Sequence, residues 1–124
     1  MSAVPTECSI VVNPGGEGQM FTVSAWKNGR DSSGPTLGLR VGLGDRGEYF
    51  PRERRQVRLQ LPGPRDTVVT LSASFWRSCP ELRSPEITGW LQTSGAFPWQ
   101  RGQPPRYVVR RNGPGRFTVV GRDL

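Results

Sequence analysis

Glycine and proline number 16 and 12 in this chain of 124 residues, and they gather in clusters that no long regular element can cross. Asn13-Pro14-Gly15-Gly16, the stretch from Asn28 to Pro35, Pro62-Gly63-Pro64 and Asn112-Gly113-Pro114-Gly115 each combine residues that favour bends or accept positive φ. Between them lie short β-prone runs: Ser9–Val12, Met20–Trp26, Gly38–Leu43, Val57–Leu61, Thr67–Phe75, Arg106–Arg110 and Arg116–Val120. Seven strands are expected. Val57-Arg58-Leu59-Gln60-Leu61 shows the pattern most cleanly, with Val57, Leu59 and Leu61 on one face and Arg58 and Gln60 on the other, as a half-buried strand requires. The Asn112–Gly115 turn is expected to close a hairpin between the last two runs. No internal repeat is visible, so a propeller or solenoid is not expected.

One stretch departs from this background. Ser84 suits an N-cap, Pro85 sits at the first helical position where its missing N–H costs nothing, Glu86 complements the helix dipole and Gly95 is placed to end the turn. Ile87, Trp90 and Leu91 fall at i, i+3 and i+4 and form one apolar stripe, although Gly89 in the interior costs about 1 kcal/mol relative to alanine. A single helix cannot cover both faces of an open sheet this size, so the sheet must largely close on itself. The expected fold is therefore mainly β: a small seven-stranded pseudobarrel with one or two short helices. The length fits one domain over residues 1–124, with 1–8 and 121–124 as loose tails.

Charge narrows the partner. Sixteen of the seventeen basic residues are arginine, the other is Lys27, and histidine is absent. From residue 87 to 122 there is no acid, only Arg101, Arg106, Arg110, Arg111, Arg116 and Arg122. A net charge of +7 attracts polyanions through counterion release, and the planar guanidinium fork suits both phosphate oxygens and the guanine edge. High-GC coding, bacterial or phage, inflates arginine, glycine and proline together and is the competing explanation of the excess.

Without histidine there is no Ser-His-Asp or Cys-His arrangement, and the commonest general base is missing. Glu48 with Glu53, and Glu81 with Glu86, are each interleaved with arginines and read as solvated ion-pair faces. Gly42-Leu43-Gly44-Asp45-Arg46-Gly47 fits GxGxxG only as a pattern, because Glu48-Tyr49-Phe50-Pro51 cannot open a long helix behind it. An enzyme and a cofactor are not expected. Cys8 and Cys79 stand alone, expected as free buried thiols rather than a zinc site. The first residues lack a signal-peptide pattern and no run of eighteen apolar residues occurs, so a soluble, cytoplasmic monomer away from membranes is expected.

The most suggestive loop is Trp76-Arg77-Ser78-Cys79-Pro80, which sets an aromatic, a guanidinium and a hydroxyl together after a strand. A second polar turn, Lys27 to Ser33, follows Trp26. Leu39-Arg40-Val41, Glu48-Tyr49-Phe50-Pro51, Val57–Leu61, the run from Leu71 to Ser78 and Gly89-Trp90-Leu91 follow one another in an order that resembles the DNA-binding pseudobarrel of plant B-three-type transcription factors. Recognition domains of some restriction endonucleases share that fold. The resemblance covers about residues 20 to 120 and implies a seven-stranded open barrel with a short helix at each end. It further implies two arms gripping the major groove, one after the first strand and one after the fourth. Lys27, Asn28, Arg30 and Ser32 with Arg40 match the first arm, and Trp76, Arg77 and Ser78 match an aromatic, polar, serine motif in the second. Gly89-Trp90 matches a pair that opens the family's second helix. Trp99-Gln100-Arg101-Gly102 stands where the family has a Gly-Asp pair.

These readings make duplex DNA the expected partner, with phosphate contacts from Arg101, Arg106, Arg110, Arg111 and the 52–58 cluster, and base contacts from Arg77 and the 27–33 turn. An acidic protein partner is the alternative, with Trp99 and Tyr107 exposed beside Gly102-Gln103-Pro104-Pro105. RNA or single-stranded binding would need at least two exposed aromatics on a basic face.

Overall fold

Alternating burial runs through the sheet and sets its inside and outside. The structure, a computed structural model, describes residues 19–123 except 32–33, 64 and 78–79, and leaves out the side chains of Asn28 and Asp31. The strands are β1 (Met20–Asp31), β2 (Gly34–Val41), β3 (Gln56–Leu61), β4 (Arg65–Thr70), β5 (Glu81–Arg83), β6 (Arg106–Gly113) and β7 (Arg116–Arg122). Three helices join them: α1 (Leu43–Tyr49), α2 (Ala73–Arg77) and α3 (Pro85–Thr93). The strands form one sheet in the order β4-β3-β7-β6-β1-β2-β5, with every neighbour antiparallel except the parallel pair β3 and β7. The sheet curls into a half-barrel, so the mainly β open barrel expected from the pattern is what the chain forms.

Burial explains the curl. Val57, Leu59 and Leu61 are all within 2% of full burial while Arg58 and Gln60 face outward. Phe21, Val23 and Ala25 from β1 and Leu37, Leu39 and Val41 from β2 fill the same interior. Five aromatic rings pack at one end of the barrel: Phe50 stacks on Phe117 at 4.7 Å and lies 5.2 Å from Phe75 and 5.9 Å from Phe21, which stacks on Tyr49 at 4.8 Å. At the other end Trp90 of α3 meets Tyr107 at 4.8 Å.

Helix α3 spans the gap between the two sheet edges. Ser84 accepts the Ile87 N–H as its cap, and Thr67 Oγ1 of β4 lies 2.8 Å from the same Ser84 oxygen and 3.0 Å from Glu86 Oε1. On the opposite side Thr88 Oγ1 accepts the Leu37 N–H and donates to the Leu37 carbonyl of β2. Buried Ile87, Trp90 and Leu91 form the expected stripe, and Gly95 ends the helix with φ of 81°.

Several boundaries differ from expectation. Ser9–Val12 lies outside the described residues, as do Cys8 and Cys79, and the seventh strand is instead β5. β4 stops at Thr70, so Thr67–Phe75 is not one strand. Phe75 N–H bonds the Ser72 carbonyl, which turns the chain into α2 and buries Phe75 against Phe50. The Gly42–Gly47 pattern opens α1 despite its glycines, because seven helical residues suffice to swing Phe50 into the barrel mouth. The expected turn from Asn28 is largely strand: β1 runs to Asp31, with a register break between Lys27 and Arg30. β7 continues through Gly121 and Arg122 into the segment expected as a loose tail. Gly89-Trp90 sits in the middle of α3 rather than opening it.

Candidate nucleic-acid interface

Because Leu39 and Val41 point inward, Arg40 must point outward, and pairing with Ser24 of β1 sets it in line with Arg106 of β6. The row across the outer face therefore reads Glu81, Arg40, Ser24, Arg106. Arg40 and Arg106 share a surface cavity of about 460 Å³ with Thr22, Ser24, Asp45 and Pro80 in its walls. Each guanidinium is held. Arg40 lies over the Trp26 ring at 3.7 Å and 3.9 Å from Glu81, whose carboxylate is buried and also 3.6 Å from Arg83. Arg106 donates to Thr22 Oγ1 at 3.0 Å and forms no ion pair with a described residue. Burial, then the Glu48 charge, raises the Asp45 carboxyl above its ordinary 3.8 at the rim of this cavity.

Arg110 faces outward on the same strand as Arg106, beside Met20 of β1 and Thr118 of β7. It donates to Asn112 Oδ1 at 3.2 Å, Asn112 donates to Thr118 Oγ1 at 2.6 Å, and Thr118 reaches Gln60 Oε1 at 3.4 Å. This chain of polar contacts crosses β6, β7 and β3 and steadies the outer face. Arg111 is half-buried on the hairpin flank, so it is less available to a partner than expected.

The two expected arms lie at opposite ends of the β2–β5 pair. Lys27 and Arg30 are exposed on the β1–β2 hairpin, whereas Arg77 is exposed at the end of α2 near the five-ring cluster. Ser32, Ser78 and the Asn28 side chain lie outside the described residues. Trp76 is not a free stacking surface: it meets Phe75 edge-on at 5.1 Å and carries the Arg52 guanidinium at 4.9 Å. Arg101 is exposed in the connection between α3 and β6. Tyr107, expected at the surface, is 5% exposed because it fills the barrel against Trp90, and Trp99 packs half-buried against Phe97 at 5.4 Å. Of the two aromatics expected to be exposed, Tyr107 is therefore buried and Trp99 only partly accessible. Among the described residues no phenylalanine, tyrosine or tryptophan is fully exposed: Trp26, Tyr49, Trp76, Phe97 and Trp99 are half-buried and the rest are buried.

Sequence reasoning missed Arg116, Thr22, Ser24, Asn112 and Thr118 as companions of the arginines. Their signal is present only in register: β3 pairs with β7 across 58 positions of sequence, and the period-2 pattern shows the face but not the neighbour.

The site so built belongs to a curled β half-barrel whose outer face carries arginines, two of them fixed around one cavity. Compared with models of known protein families, with curated proteins and with solved structures, the chain matches none. Among the described residues no helix is long and apolar enough to cross a membrane.

Proposed function

We propose that this chain is a noncatalytic DNA-binding domain, of the pseudobarrel kind that the sequence resembles, whose outer sheet face lies against a duplex. The observation that carries the reading is the shared placement of Arg40, Arg106 and Arg110 on one face, between an exposed β1–β2 hairpin at one end and Arg77 at the other. Arg106 and Arg110 are four residues apart on β6, about 13 Å at about 3.3 Å per residue, close to the roughly 12 Å width of a major groove. The order of elements, with a short helix after β2 and another after β4, also supports the likeness. Arg77 is assigned a base contact, and Arg40, Arg106 and Arg110 phosphates.

A fluorescence-anisotropy titration against double-stranded, single-stranded and RNA oligonucleotides at several ionic strengths tests this. Neutralising about six phosphates gives a log-log salt slope of roughly −5 on duplex DNA. Arg77→Ala is expected to relax sequence preference at a cost of about 1–3 kcal/mol, while Arg110→Ala weakens all sequences alike. A slope near zero, or tighter binding to an acidic protein than to any nucleic acid, would remove the proposal.

A further inference from the structure

The β3–β7 seam carries an electrostatic arrangement that the two-arm reading does not use. Arg58 and Arg116 are direct partners in the parallel register, both outward and both exposed. Two like charges held side by side on one face of the sheet repel. Arg54 adds a third guanidinium: its side chain lies across Gly115, where an added Cβ would stand 2.7 Å from Arg54 Cδ. Asp66, 3.2 Å from Arg58, neutralises that guanidinium in part and stands in the wall of the larger cavity beside the seam, where an incoming anion must displace it from Arg58. Two shallow cavities of about 210 and 200 Å³ flank the seam, and Arg58 and Arg116 belong to the walls of both. Gln60 and Asn112 line the first and add amide groups, already fixed through Thr118.

We infer that this seam is a phosphate-binding site, in which one phosphate group bridges Arg58 and Arg116 while Arg54 neutralises the remaining charge. A bridging oxyanion turns a repulsive pair into two charge-assisted hydrogen-bonded contacts, and guanidinium forks suit its geometry. The phosphate belongs either to a nucleic-acid backbone, which rests on the DNA reading above, or to a small phosphate-bearing ion, which does not.

The test is thermal melting of the full chain in inorganic pyrophosphate against chloride at matched ionic strength, for the wild type, for Arg58→Gln/Arg116→Gln and for Arg54→Gln. The wild type is expected to melt higher in pyrophosphate. The double variant is expected to lose most of that rise. Arg54→Gln, outside the strands, is expected to lose part of the rise with its chloride melting unchanged. An absent rise in the wild type, or a full rise in the double variant, overturns the site.

Duplex anisotropy on the same proteins then separates the two sources. A salt slope reduced by about 1 for each guanidinium removed assigns the phosphate to the backbone. An unchanged slope with the pyrophosphate rise lost assigns it to a small ion. Absence of any duplex binding with the pyrophosphate rise intact defeats the DNA reading alone, whereas duplex binding without a pyrophosphate rise defeats the seam alone.

Discussion

Tyr107 shows how a single side chain can mislead. Its neighbours Arg106 and Pro105 suggest surface, yet alternation along β6 turns it inward, where Trp90 covers one side and the Arg122 guanidinium stands 5.9 Å from its ring. Burial raises its phenol above the ordinary 10.0, and Arg122 partly opposes that rise. Tyr49 is raised in the same direction by burial, then by Glu48 and Asp45. A phenol whose folded pKa exceeds its unfolded value contributes stability that is complete below pH 10.0 and is lost as pH rises through the folded value. Stability is therefore expected to fall as pH rises above 10.0, and Tyr107→Phe to flatten the fall without abolishing it, since Tyr49 remains. Urea denaturation midpoints across that range measure it. A Tyr107→Phe curve parallel to the wild type would refute the contribution.

Elements differ in how far local chemistry determined them. Helix α3 was legible because its cap, its proline and its apolar spacing agree, and β3 because three inward and two outward residues alternate without interruption. Helices α1 and α2 were not, since at seven and five residues they are held by what they deliver to the core, Phe50 and Phe75, rather than by their own propensities. Strand β5 is three residues long and exists by pairing with β2, which no local pattern signals. The capping interaction is directly measurable: Ser84→Ala is expected to cost about 1–2 kcal/mol, at the upper part of the usual cap range because the Ser84 oxygen also meets Thr67 and so ties β4 to the helix. At the hairpin tip, Gly115→Ala meets both φ of 71° and the Arg54 side chain, and is expected to cost about 1 kcal/mol or more. Chemical denaturation of the two variants checks both values, and a neutral Gly115→Ala would mean that the hairpin relaxes.

At the scale of the molecule, the class of fold followed from turn clusters and alternation, but the candidate site followed from neither. Which arginines face a common partner depends on strand order, and the order puts β7 between β3 and β6, bringing Arg58, Arg116 and Arg110 to one side of the sheet. Their concentration has a global consequence. A net charge of +7 with three ion pairs among the described residues leaves most cations facing solvent, so the folded state repels itself at low ionic strength. Raising salt from about 0.02 M to about 0.3 M shortens the screening length from roughly 20 Å to below 10 Å and weakens this repulsion. The melting temperature is expected to rise over that range while duplex affinity falls, two opposite trends with one electrostatic origin. Scanning calorimetry and anisotropy on the same samples measure them together. A melting temperature that falls with salt would show that attractive ion pairs outweigh the repulsion, and the outer face would then be a neutralised surface rather than one waiting for an anion.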